Sequence, residues 1–223
     1  MSKVTVNLEQ LITFFDHDKD AHAYSSGIKA MAGEELGFAL LIEFLRREGK
    51  TATLLPGPVT TGSRSGPRLD GWVQVRGGQE PDVDYQVEVK SWSIHGYGGY
   101  KTPLEFGCPP QKLAEHKRRV WKHYWDNGQF RPEALKKVLI PMNHPPDSTA
   151  AVQPLACIWD AVHPTGESDP FFVVKTARGS MFESVAVFSM SGFLRRLNEK
   201  TLMLDMPMTS ERIRRLGSIF ELP

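Results

Sequence analysis

Glu88 and Lys90 stand two residues apart in VDYQVEVKSW, residues 83–92, where apolar and polar side chains alternate with the period of a strand. Residues two apart on a strand share a face, so Gln86, Glu88, Lys90 and Trp92 point one way and Tyr85, Val87 and Val89 the other. An acid and a lysine side by side are common on a solvated strand face, where an exposed ion pair contributes little. What lies across the hairpin changes that reading. RLDGWVQV, residues 68–75, is a second strand-like stretch, joined to the first by RGGQEPD, whose Gly-Gly and Pro-Asp steps favour a turn. With the turn centred on Gln79, Asp70 and Glu88 each lie nine residues away, so antiparallel pairing sets them opposite one another. Directly opposed Cβ atoms are about 4.5–5.5 Å apart.

Opposed like charges destabilise a ladder unless a cation or a shared proton compensates. A divalent metal does so directly. Magnesium takes oxygen ligands and is commonly held by one or two carboxylates plus waters and substrate phosphate oxygens. It polarises a phosphodiester and lowers the pKa of a bound water, while an adjacent lysine orients that water or stabilises developing negative charge. The chemistry these residues suggest is phosphodiester hydrolysis. Pro81-Asp82 offers another acid, but six extended residues put Asp82 roughly 20 Å from Glu88, too far to share a metal. Asp82 and Asp84 are expected to be turn and solubility residues.

The elements that must position this constellation are legible in outline. LEQLITFFDH (8–17) predicts a short helix followed by a polar tether. MAGEELGFALLIEFLRREG (31–49), apolar almost all round and stopped by Gly49, predicts a buried helix with Glu34 and Glu35 at its dipole-positive end. PQKLAEHKRRVWKHYWDNG (110–128) opens on a proline and predicts a helix with a basic face. KVLIPM (137–142), PLACIWDAV (154–162), PFFVVKT (170–176) and FESVAVFSM (182–190) predict strands, the last leading into a helix at SGFLRRLNEK. SERIRRLGSIF (210–220) predicts a terminal helix, and the loop SIHGYGGYK (93–101) a lip over a substrate strand or simple turns.

An acidic helix, LDG opening a hairpin, and then VEVKSW together resemble the PD-(D/E)xK nuclease superfamily, over roughly Gly33 to Asn127. The resemblance implies a restriction-endonuclease-like α/β fold, a central mixed β-sheet flanked by helices. It implies metal ligands at Asp70, Glu88 and Glu35, with Glu34 the alternative helical acid, and a catalytic lysine at Lys90. Leu69, not proline, precedes Asp70 here, and the helical acid lies about a turn further from the closing glycine than in several members. Gln111 occupies the place where the superfamily often carries a glutamine, with an ordinary first-turn residue the competing reading. Lys112, Lys117, Arg118, Arg119 and Lys122, interleaved with Trp121, Tyr124 and Trp125, suit phosphate contacts plus base stacking. The competing reading of that helix is solvated lysines over an aromatic core stripe.

Composition narrows the alternatives. Lys and Arg number 27 against 26 Asp and Glu, a net charge of +1, so any nucleic-acid surface must be local. Two cysteines exclude a four-cysteine zinc site, and Cys157 lies in an apolar run that reads as core. No leader-like or membrane-spanning run is read, so a cytoplasmic protein is expected. No phosphate-cradling Gly-rich loop and no nucleophilic-serine motif is found. The expectation is one nuclease-like domain: an N-terminal helix and tether (1–30), a catalytic core (31–142) and completing strands and helices (143–223). It would use Mg2+ or Mn2+ on nucleic acid, DNA in particular, in restriction, phage defence or repair, with a homodimer or a larger complex left open. The alternative is a non-catalytic nucleic-acid-binding or assembly module on the same fold.

Overall fold

The computed structural model describes residues 2–16, 26–55, 59–63, 65–77, 81–90, 108–126, 133–145, 147–166, 168–176 and 179–207. The tether after Asp16, Trp92, the lip at 93–101 and the terminal helix at 210–220 lie outside them.

The protein is an α/β fold built on a mixed sheet of six strands: β2 (Thr51–Leu55), β5 (Gly71–Arg76), β6 (Val83–Lys90), β7 (Ala151–Ile158), β8 (Phe171–Lys175) and β9 (Ser184–Ser189). Their spatial order is β2-β5-β6-β7-β9-β8. The centre β6-β7-β9 is parallel, and the flanking pairs are antiparallel. Two short ladders stand apart from it: β1 (Ser2–Asn7) with β10 (Thr201–Met206), and β3 (Val59–Thr60) with β4 (Arg68–Leu69). The helices are α1 (Leu8–Asp16), α2 (Ser26–Arg47), α3 (Pro110–Asp126), α4 (Glu133–Val138) and α5 (Met190–Arg196).

α2 starts earlier than its apolar run suggests and stops where expected. Gly49, at φ 76°, lets its own N–H reach the Arg46 carbonyl and that of Lys50 reach Leu45, which closes the helix end without the penalty a Cβ would bring. One face of the sheet, with Val73, Val75, Tyr85, Val87, Val89, Leu155, Cys157 and Phe188, packs under Phe38, Leu41 and Leu45 of α2. The opposite face, with Trp72, Ala156, Ile158 and Val187, packs under Leu113, Val120, Trp121 and Trp125 of α3 and against Val138 and Met142. The alternation expected of residues 83–90 is therefore realised, with a core on each side. Gly37 brings α2 close against the sheet: a Cβ there would lie 2.5 Å from Val89 Cγ1.

KVLIPM is not a strand. Its first two residues end α4, and the rest is irregular. Gln86 explains how an irregular segment can pack beneath a sheet: its amide donates to the carbonyls of Val138 (2.5 Å) and Ile140 (2.9 Å) and accepts from Met142 N–H (3.2 Å). One side chain supplies the partners a strand ladder would have given. β1 and β10 have no counterpart in the sequence reading; they pair with each other, far apart in the chain, over six residues.

Candidate active site

β6 is buried along both faces, yet the face turned toward α4 carries Asp84, Gln86 and Glu88, all at or below 3% exposure. Each polar group has its own partner. Asp84 takes the Arg76 guanidinium at 2.6 Å, so it is a buried structural anion and not the solubility residue expected. Asp82 is as expected, at the turn, with Gly77 N–H on its Oδ1 at 3.3 Å. Gln86 ties down residues 138–142. Glu88 has Lys90 Nζ on Oε1 at 2.8 Å and Lys137 Nζ 3.6 Å from the same atom, while its Oε2 is buried without a hydrogen-bond partner.

Asp70 arrives from the far side of the hairpin. The β5–β6 register ends with Gly71 opposite Val87; Asp70, the next residue, lies just beyond the ladder, near enough for its charge to act on the Glu88 carboxyl. Asp70 Oδ2 accepts the Val89 N–H at 2.7 Å, and Asp70 N–H donates to the Val87 carbonyl at 3.1 Å, so the aspartate is fixed on both sides of Glu88. Burial, and after it the negative charge of Asp70, raises the Glu88 carboxyl above its ordinary pKa; the ammonium groups of Lys90 and Lys137 offset part of that.

The other predicted site residues fall in different places. Glu35 is buried at 1% exposure on α2, which covers the opposite face of the sheet, and Glu34 beside it is half-buried. Among the described residues no group of three His, Cys, Asp or Glu side chains gathers to hold a metal ion. Asp70 and Glu88 are thus brought together, and Glu35 is not joined to them as a third ligand. Gln111, Lys112, Arg118, Arg119 and Lys122 all lie on the exposed face of α3. Lys117 does not: it is 6% exposed, with its Nζ 2.7 Å from Asp160 Oδ1 and 3.5 Å from Asp16 Oδ2. Nor do Trp121 and Trp125 offer stacking surfaces. They stack on each other at 4.8 Å inside the core, and Trp125 Nε1 donates to the Val162 carbonyl at 2.7 Å. Trp121 and Trp125 are core residues; the side chain of Tyr124 lies outside those described.

Sequence reasoning missed two features. Lys137 was read as the start of a strand, whereas α4 brings it to Glu88. The second is the ion network around Lys117, which Trp159 Nε1 joins at Asp16 (2.9 Å), Ser191 at Asp160 (2.8 Å) and Arg195 at Asp16. A cavity of about 550 Å3 opens beside it, lined also by Ile12, Leu113 and Val162. Its only sequence signal is an aspartate closing the apolar run ACIWD.

No family model, curated protein or solved structure matches the chain. No helix among the described residues is long and apolar enough to cross a membrane.

A divalent cation fits Asp70 and Glu88. The charge of Asp70 acts on the Glu88 carboxyl, Glu88 Oε2 is buried with no hydrogen-bond partner, and the donors are the hard oxygens that magnesium or manganese prefers.

Proposed function

We propose that the protein is a metal-dependent nuclease of the PD-(D/E)xK type with a restriction-endonuclease-like sheet, acting on DNA. The observation that supports the reading is Asp70, bound to the Val89 N–H beside Glu88 and acting on its charge, with the Lys90 ammonium on the Glu88 carboxylate. Asp70 and Glu88 are the residues that would hold Mg2+ or Mn2+, which supplies positive charge to the scissile phosphate and acidity to a water. Asp70 is kept in place by the Val89 N–H. Lys90 is held at the end of β6 by Glu88 Oε1 and by its contact to the Val89 carbonyl at 3.0 Å. From there it orients the attacking water and stabilises charge developing on the phosphate. Gln111, Lys112, Arg118, Arg119 and Lys122 form an outward row on α3 suited to the phosphate backbone.

The test is cleavage of plasmid, single-stranded DNA and RNA with Mg2+ or Mn2+. Lys90→Ala should lower the rate about a hundredfold or more while binding persists. No cleavage of any of these substrates, or full activity in Lys90→Ala, refutes the reading. Metal-independent binding without cleavage would favour the non-catalytic module instead.

A further inference from the structure

Lys137 is a surface-accessible lysine with an unusually fixed foundation. The residues after it are tied at four backbone points: the Val138 and Ile140 carbonyls and the Met142 N–H by Gln86, and the Asn143 N–H by the Thr60 carbonyl at 2.9 Å. Val138 next to it is fully buried. A lysine on a loop would sample many positions, but this one is carried to 3.6 Å from Glu88 Oε1 by a segment that cannot easily move.

Its ammonium is not used up there. Lys90 already donates to Glu88 Oε1 at 2.8 Å, whereas Lys137 stands beyond hydrogen-bond reach of that atom and remains 37% exposed, against 19% for Lys90. A phosphodiester approaching this site meets two carboxylates, and a cation beside them whose ammonium makes no hydrogen bond among the described residues is what it would bind first.

We propose that Lys137 contacts a non-bridging oxygen of the phosphate that sits over Asp70 and Glu88, and so acts as a substrate-binding and charge-stabilising residue. Lys90 serves the water side and Lys137 the phosphate side. The inference rests on the nuclease reading for which phosphate is cut, but not for whether one is bound.

The experiment measures DNA binding with Mg2+ present in the Lys90→Ala background, with and without Lys137→Met, across a salt series. Lys137→Met is expected to weaken binding about tenfold and to lower the slope of log K against log salt by about 0.7–0.9, the value of one phosphate contact. Lys137→Arg is expected to keep most of the affinity. In the Lys90-containing protein, Lys137→Met is expected to slow cleavage as well, with an unchanged melting midpoint. Wild-type affinity and slope in Lys137→Met overturn the inference and leave the nuclease reading intact. Binding that depends on Lys137 in a protein that never cleaves upholds it and overturns the nuclease reading. A chain that binds no DNA overturns both.

Discussion

Lys117→Met removes the ammonium that lies between Asp160 and Asp16, whose side chains are 0% and 1% exposed against 7% for the lysine. Asp160 would lose its nearest cation, and Asp16 would keep only Arg195. Breaking a buried pair from one side typically costs about 3–5 kcal/mol. Arg195 stays behind, 44% exposed, against Asp16 and 3.9 Å from Asp160, so the lower end applies, about 3 kcal/mol. For a chain of this size that is a fall of roughly 6–12 °C in melting midpoint. The pH dependence has a definite sign. Burial alone would raise the Asp160 carboxyl, but the charges of Lys117 and Arg195 and hydrogen bonds from Lys117 and Ser191 bring it below its ordinary value. A depressed folded-state pKa gives stability that is present above the unfolded carboxylate value and lost as pH falls through the folded one. The Lys117→Met deficit should therefore be full at neutral pH and shrink in acid. Urea titrations of both proteins from pH 3 to 8, with the exposed Lys112→Met as control at under about 0.5 kcal/mol, measure it. A neutral-pH loss below about 1 kcal/mol, or a deficit that grows in acid, refutes the assignment of Lys117 to a structural ion network.

Other outcomes follow from the same geometry. Glu88, with its pKa raised by burial and by Asp70, contributes stability below its ordinary range that is lost as pH rises through the higher folded value. Metal-free Glu88→Gln should thus melt above wild type at neutral pH, and thermal melts in chelator check it. Mg2+ should raise the midpoint of wild type but not of Glu88→Gln or Asp70→Asn, and calorimetric titration should show the same loss of binding. Asp70→Asn keeps an acceptor for the Val89 N–H, whereas Asp70→Ala leaves it unpaired and should cost a further 1–3 kcal/mol or about that. Gly37→Ala sets a methyl 2.5 Å from Val89 Cγ1; overpacking of about 1–3 kcal/mol should outweigh the gain in helix propensity of about 1 kcal/mol. Because Val89 separates Glu88 from Lys90, activity should fall with stability in that variant.

The hairpin was readable because its information is local. Strand alternation and the residue count between the two runs predict the register, and the pairing from Val75 with Val83 to Gly71 with Val87 follows it. The basic helix was readable only in part: its extent and its exposed lysines and arginines could be read, but Trp121 and Trp125, read as stacking surfaces, lie in the core, and nothing in its own sequence says that Lys117 also faces in. Its partners come from Asp16 and Asp160, 101 and 43 residues away, and only tertiary packing unites them. The same holds for Lys137, where an apolar KVLI run mimics a strand until Gln86 satisfies its carbonyls. β1 and β10 escaped notice because each is a short ribbon whose pairing partner lies almost a whole chain length away.

Asp84, Gln86 and Glu88 also bear on how the sheet finds its alignment. An apolar central strand tolerates sliding, since one buried valine replaces another. Here a slip of one residue would drive all three polar side chains into the layer under α2 and lift valines into theirs. A slip of two would keep the facing but separate every polar group from its partner. The residues that form the site thus exclude the competing pairings of β6, and the chain reaches its native sheet only by assembling Glu88 beside Asp70.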